Sequence, residues 1–272
     1  MNNPYFPHPA ALEGIADEGP GLKTFLARFQ DEAVEKACRP MPGQFLECTV
    51  YGVGEAPFGV ACYNPDGGPV RFSAQKMGKV TTALHGLSVG DVIGLRGPYG
   101  RGFPVKEDEG KNLFIIGGGI GLPPLRSVVE YVLANREKYE KVVLVYGARS
   151  PELLCYKDAL KEWERSQDIE LALTVDKGDE TWTGHEGFVP QFCTELALSP
   201  ENAAAYTVGP PIMIKFVIAE LTGLGFAPEQ IVVSLEAKMK CGIGKCGRCN
   251  VGPKFVCLDG PVFSQAKLLE LG

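Results

Sequence analysis

Four of the nine cysteines in this 272-residue chain crowd between Glu236 and Val262, spaced Cys241-x4-Cys246-x2-Cys249-x7-Cys257, with glycines at 242, 244, 247 and 252 between them. Cysteines crowded in this way need a reason. A C-x4-C-x2-C run followed by one later cysteine is the ligand spacing of a plant-type [2Fe-2S] centre, with small residues letting the backbone fold around the inorganic sulfides. The seven-residue gap to the fourth cysteine is short for that type. Two other chemistries stand beside this one. Structural zinc favours paired short knuckles, and here there is a single C-x2-C. Disulfides are disfavoured by the odd cysteine total and by an N-terminus, MNNPYFPHPAALEGIADEG, without the basic start and apolar run of an export signal.

A second group of residues suits phosphate. Gly117-Gly118-Gly119-Ile120-Gly121 joins an apolar strand to a helix, a context in which backbone N–H groups cradle phosphate. It is not the G-x-G-x-x-G fingerprint, because the third position, 122, is Leu. Tight strand-to-helix packing is the competing reason for the glycines. Gly78-Lys79 opens a helix whose first turn carries Val80, Thr81 and Thr82, which suits either a phosphate or an ordinary Thr-capped surface helix. Further strand ends carry Gly147-Ala148-Arg149, Asp176 and Gly209-Pro210-Pro211, with Met213 following. Arg149 reads as a loop cation or as a contact to an adenosine ribose. His8, His85 and His185 are scattered and take no catalytic or ligand role.

These residues need two kinds of scaffold. From Leu22 to about Arg101, short alternating runs broken by Gly and Pro predict an antiparallel β-barrel with one helix at Val80 to Leu87. Pro104 to Lys111, PVKEDEGK, reads as a solvated hinge. Beyond it, strands near 112–116, 141–146, 169–175, 205–208 and 231–235 alternate with helices near 125–139, 157–164 and 214–221. That order predicts a doubly wound parallel sheet with ligands at the carboxyl ends of its strands. The predicted domains are 1–106, 107–235 and a cysteine module with tail at 236–272. A formal charge of −6 argues against a nucleic-acid partner, and no run reaches the 18 apolar residues of a membrane helix, so a soluble cytoplasmic protein is expected.

With the three parts in this order, the chain resembles the ferredoxin–NADP reductase superfamily. It is most similar to the branch with a C-terminal [2Fe-2S] module, which holds electron-transfer subunits of dihydroorotate dehydrogenase, gamma subunits of sulfhydrogenases, a subunit of anaerobic sulfite reductase and flavin subunits of some bifurcating complexes. The resemblance rests on KCGIGKCGRCNVG, GGGIGLPPLR, VGPPIMIKF, GKVTTAL and RGPYGRGF, and NPYFPHPA followed by LKTF is most like the sulfhydrogenase gamma group. It implies FAD on the β domain, NAD(P)H on the α/β domain and the cluster on Cys241, Cys246, Cys249 and Cys257. The family's flavin strand motif, Arg-x-Tyr/Phe-Ser, falls on Ala56, Pro57, Phe58 and Gly59, departing at Ala56 and Gly59. Phe72 is grouped with it. The second flavin motif falls on Gly78, Lys79, Val80, Thr81 and Thr82. The nucleotide cradle falls on Gly117 to Gly121 and Pro123, with Gly147, Arg149 and Asp176 at the next strand ends. The family's Cys-Gly-Pro falls on Val208-Gly209-Pro210, with Pro211 and Met213 after it.

The implied activity is that of an electron-transfer subunit in a hetero-oligomeric redox complex of hydrogenase or heterodisulfide reductase type, with no side chain needed as acid, base or nucleophile. A self-sufficient reductase for a soluble ferredoxin and a flavin-lacking scaffold are the alternatives. Lys238, Lys240, Lys245, Arg248 and Lys254 stand against the single acid Glu236 between 236 and 256, which suits charge compensation of a cluster, docking of an acidic partner, or a solvated loop.

Overall fold

The computed structural model describes residues 3–271. Its N-terminal part contains β1 (His8–Gly19), β2 (Leu22–Phe29), α1 (Glu32–Ala37), β3 (Phe45–Val50), β4 (Gly54–Gly59), β5 (Val70–Gln75), α2 (Lys79–His85) and β6 (Val92–Tyr99). The six strands pair antiparallel in the order β4-β3-β6-β1-β2-β5. An isolated bridge between Val60 and Phe72 links the two ends, so the sheet curls into the expected barrel. Period-two alternation sets its inside: Leu46, Cys48 and Val50 of β3 enter the barrel core, and Phe45 and Glu47 face outward.

Two elements here escaped the sequence. β1 shifts register between Leu12 and Gly14 and again between Asp17 and Gly19, and these bulges break the alternation that marks a strand. α1 buries no residue and so has no apolar period; it is held by Asp31, whose Oδ1 accepts from Ala33 N at 2.8 Å.

The segment 104–111 is not the solvated hinge its composition suggests. Val105 and Asp108 are buried. Tyr206 Oη donates to Asp108 Oδ2 at 2.6 Å, Lys111 Nζ donates to Asp108 Oδ1 at 2.7 Å, and Tyr139 Oη donates to the carbonyl of Val105 at 2.5 Å. The charges at 106, 107 and 109 face solvent while this one carboxylate turns inward to partners supplied by distant strands and helices.

The α/β part runs β7 (Asn112–Gly118), α3 (Leu122–Ala134), β8 (Val142–Ala148), α4 (Lys157–Arg165), β9 (Glu170–Val175), β10 (His185–Glu186), α5 (Val189–Glu195), β11 (Ala203–Val208), α6 (Pro211–Gly223) and β12 (Ile231–Ser234). After the cysteine module come β13 (Asn250–Val251), β14 (Lys254–Phe255), α7 (Val256–Asp259), β15 (Val262–Ser264) and α8 (Gln265–Leu271). The sheet order is β10-β9-β8-β7-β11-β12-β15, parallel except for β15, which runs antiparallel to β12. Helices cover both faces. Val128 and Val132 of α3 and Leu160 and Trp163 of α4 share one buried cluster with Leu113 and Ile115; Cys193 of α5 and Val217 and Leu221 of α6 share another with Phe114 and Ile116. The chain turns one way from β7 to β8 and the other way to β11, so the topological switch lies between β7 and β11.

Candidate cofactor sites

At that switch point a cleft of about 770 Å³ opens at the carboxyl ends of the parallel strands. It gathers Gly118, Gly119, Ile120, Gly147, Arg149, Asp176, Pro210 and Met213, all marked in the sequence. Two of these three glycines stand where side chains have no room. A Cβ on Gly118 would lie 2.2 Å from Met213 Sδ, and one on Gly147 would lie 2.4 Å from Val189 Cγ2. Arg149 and Asp176 are exposed on neighbouring strand ends, tied by Asp176 N to Ala148 O at 2.9 Å and Lys177 N to Arg149 O at 3.2 Å. Partial burial pushes the Asp176 carboxyl up, and Arg149 draws it down.

Other marked residues stand behind this cleft. A Cβ on Gly121 would fall 2.2 Å from the carbonyl oxygen of Val208, and one on Gly117 would fall 2.9 Å from Leu125 Cδ1. These glycines, with buried Pro123 and Gly209, let α3 and α6 sit close on the sheet, so the packing explanation holds for them. Exposed Pro211 starts α6 and does not line the cleft. The sequence reading missed the opposite wall, where Glu18 and Gly19 arrive from the β1–β2 hairpin of the barrel, and the apolar rim of Phe188, Ile212 and Phe216. These three rim side chains are large and exposed, but nothing in linear sequence marks them so.

Flavin-motif residues lie elsewhere on the barrel. Ala56, Pro57, Phe58 and Gly59 form most of β4, all partly accessible. A Cβ on Gly59 would lie 3.2 Å from Pro124 Cβ, so the position that falls on the serine of the family's motif is pressed by α3. Gly78 caps α2. Thr81 Oγ1 accepts from Met77 N and Gly78 N, each at 2.9 Å. No heavy atom lies within 4 Å of where a Gly78 Cβ would stand, so the cap is open beside exposed Lys79 and Thr82 and half-buried Val80, and the first amides of the helix have no intrahelical partner. That arrangement fits a dinucleotide pyrophosphate. Phe72 does not belong to this surface. It is wholly buried, stacked between Phe25 (5.6 Å) and Phe58 (5.2 Å), because its face of β5 points into the barrel core.

The four cysteines of the module are free thiols, with Cys241, Cys249 and Cys257 buried and Cys246 exposed. Backbone amides tie them two and two: Cys246 N donates to Cys241 Sγ at 3.4 Å and Cys257 N donates to Cys249 Sγ at 3.5 Å. Among the described residues no three ligating side chains converge as a single-ion site. Glycines at 242, 244 and 247, with φ of 72°, 70° and 68°, turn the loop so that its amides point at sulfur. Lys245 N and Cys246 N donate to Cys241 Sγ at 3.3 and 3.4 Å, and Gly244 N donates to Cys257 Sγ at 3.2 Å. Burial raises the Cys241 thiol, but amides of Ile243, Cys246 and Lys245 outweigh it and bring it down to about 6. Burial and the neighbouring Cys249 push Cys257 up to about 12. Two thiol pairs with amide donors fit a two-iron cluster, in which each iron takes two cysteines.

Comparison with known proteins agrees part by part. Residues 115–218 match the oxidoreductase NAD-binding domain, and residues 236–269 match the iron-sulfur cluster binding domain of dihydroorotate dehydrogenase B. The chain is 40% identical to sulfhydrogenase 1 subunit gamma of Pyrococcus furiosus, over 99% of this chain and 94% of that protein. It belongs to that family of electron-transfer subunits. Another member is a probable dihydroorotate dehydrogenase B (NAD(+)) electron transfer subunit of Thermococcus kodakarensis, 36% identical over 96% of this chain and 97% of that one. Among solved structures, a chain from a study of flavin-based electron bifurcation by the NADH-dependent reduced ferredoxin-NADP oxidoreductase superposes with a TM-score of 0.77 at 27% identity. That match covers 96% of this chain and 92% of the other. A Neisseria gonorrhoeae ferredoxin NADP+ reductase with bound FAD and NADP shares the fold, with a TM-score of 0.69 at 22% identity over 83% of this chain and 96% of that one.

As a member of this family the chain combines a flavin barrel, a nucleotide sheet and a cluster module. The module is pressed on the outer face of β3. Phe45 packs with Cys249 and Cys257, and a Cβ on Gly242 would lie 2.9 Å from the Tyr99 ring and 3.3 Å from Glu47 Cγ. Glu47 is 1% exposed, and its Oε1 has no partner among the described residues. Burial pushes its carboxyl up to about 7, against the pull of Arg96.

Proposed function

We propose that this chain is the flavin and iron–sulfur subunit of a larger redox complex, oxidising or reducing NAD(P)H at one end and exchanging single electrons with a partner subunit at the other. Bound FAD supplies the conversion between two-electron and one-electron transfer, and the protein's part is to bind, space and shield the cofactors. Gly118, Gly119, Ile120, Gly147 and Arg149 bind the dinucleotide, and Pro210 and Met213 wall its nicotinamide end. The first turn of α2, from Gly78 to Thr82, holds the flavin pyrophosphate, and β4 lies along the flavin. Cys241, Cys246, Cys249 and Cys257 hold the [2Fe-2S] cluster, with Cys246 at its exposed edge. The flavin part ends near 106, the nucleotide part begins near 107, and the cluster module begins at 236.

The observation that carries this reading is the pairing of four thiols, surrounded by sulfur-directed amides, directly on the barrel that bears the Gly78 turn. No helix among the described residues is long and apolar enough to cross a membrane. A reducing cytoplasm, which keeps such thiols free, is part of the reading. Anaerobically purified protein is expected to show flavin and [2Fe-2S] absorption with about two irons per chain. Colourless protein retaining one zinc would overturn it. Untagged redox subunits should co-purify from the native host, whereas a self-sufficient reductase would come out alone.

A further inference from the structure

Arg96 of β6 is 3% exposed, although it lines neither the nucleotide cleft nor the Gly78 turn. A buried guanidinium is costly, and apolar side chains of similar volume usually stabilise at least as well, so packing alone does not account for it. Its hydrogen bonds run in two directions. Nε and Nη2 donate to the two carboxylate oxygens of Glu55 at 2.8 and 2.5 Å, and Thr49 Oγ1 donates to the same carboxylate at 2.9 Å. Nη1 donates to the carbonyl of Cys241 at 2.5 Å, and Nη2 donates to that of Lys240 at 3.3 Å. The guanidinium also lies over the rings of Tyr99 and Tyr5, 5.5 and 5.9 Å from their centroids, and Nη1 donates to Tyr99 Oη at 3.4 Å.

Glu55 immediately precedes Ala56, the first residue of the flavin-motif segment, and Cys241 is the first cluster ligand. A polar path therefore runs from β4 through Glu55 and Arg96 to the ligand loop. Only a planar fork with donors on both sides spans it, since a lysine ammonium is a single point. We propose that Arg96, with Glu55, is a positioning residue that clamps the Cys241 loop to the flavin-binding strand and so fixes the separation of flavin and cluster. This rests on the assignment of those cofactors above.

The test compares holoprotein carrying Arg96→Lys, which keeps the charge but not the fork, with the double variant Arg96→Gln/Glu55→Gln, which removes both charges of the Arg96–Glu55 pair together. Flavin and iron content, the cluster's reduction potential by EPR-monitored titration, amide exchange over residues 240–246, and the lag between flavin and cluster reduction after mixing with NADH are measured. In Arg96→Lys, flavin content, iron content and potential are expected to match the parent, while exchange of those amides and the lag each rise at least tenfold. The double variant is expected to show the same faster exchange and longer lag. Unchanged exchange and lag in both variants would overturn the clamp. So would a lag in Arg96→Lys that comes with a shifted potential, which would assign the effect to charge, or loss of both cofactors in both variants, which would make Arg96 a folding residue. Failure of the parent itself to bind flavin or cluster would strike at the cofactor assignment and is read before any variant.

Discussion

Ala56 leaves β4, the strand proposed to lie along the flavin, without a cation of its own, and Lys79, exposed at the start of α2, is the cation nearest in sequence to the Gly78 turn. Introducing Ala56→Arg is expected to tighten FAD binding about tenfold to a hundredfold, since a charge-assisted contact contributes about 1.5 to 3 kcal/mol. An unchanged dissociation constant would mean that Lys79 already serves the phosphates, and Lys79→Ala would then weaken FAD. In the nucleotide cleft the charges are Arg149 against Glu18, Asp176 and Glu220, a poor match for the added 2′-phosphate of NADPH. NADH is therefore expected to be the better substrate. Asp176→Asn should raise kcat/KM for NADPH by up to about fivefold while leaving NADH within about twofold, as one exposed charge is worth about 1 kcal/mol or less. Arg149→Ala should raise KM for NADPH far more than for NADH if Arg149 reads that phosphate, and equal effects would refute this role. Glu47 gives a pH dependence. Its carboxyl rises from an ordinary 4.5 to about 7, so the fold favours the protonated form. The contribution is full below the unfolded value and is lost as pH rises through about 7. Stability should fall over that window by something on the order of 3 kcal/mol. Glu47→Gln should flatten that slope in urea unfolding at pH 5 and pH 8.

At the scale of elements, the sequence was legible wherever a period was kept. The parallel strands are continuous apolar runs because both their faces are covered, and the helices between them carry their apolar stripe. What failed to show depends on contacts from far along the chain. Gly121 fits a phosphate cradle by its neighbours, and only the approach of Val208 on β11 shows that it serves packing. Phe72 lies on a flavin-side strand, but its direction depends on the closure of the barrel. β15 is three residues long and gains its meaning from β12, which a local pattern cannot reveal. The 104–111 segment is the clearest case, since one buried carboxylate among exposed charges looks like the rest. Asp108→Ala should cost about 1 to 3 kcal/mol by stranding the hydroxyl of Tyr206, and Asp108→Ala/Tyr206→Phe should recover part of the loss. Additive effects in that cycle would mean the hydrogen bond does not hold the segment.

Over the whole molecule, the basic collar around the cysteines survives in reduced form. Lys238, Lys240, Lys245, Arg248 and Lys254 are all exposed, but Lys254 is bonded to Asp259 at 3.3 Å and is a poor candidate for docking. Lys245 and Arg248 flank exposed Cys246, with Leu258 also exposed nearby on α7. Reversing Lys245 and Arg248 to Glu should leave reduction of flavin by NAD(P)H unchanged and slow transfer to an acidic partner, with the deficit shrinking at high salt. An unaffected partner rate with a shifted cluster potential would instead assign the collar to charge compensation.

The return of the chain to the nucleotide sheet has a further consequence. Ser234 of β12 pairs with Val262 of β15, and Leu235 N donates to the carbonyl of Pro261 at 2.9 Å, so the two ends of the cysteine module meet at one rung of a ladder. The module is thus a cassette spliced into a hairpin. Replacing 236–260 by a short turn should leave both sheets folded and yield a flavin reductase that accepts electrons from NADH but has lost its outlet, detectable as flavin that bleaches on mixing and reoxidises only with a soluble dye.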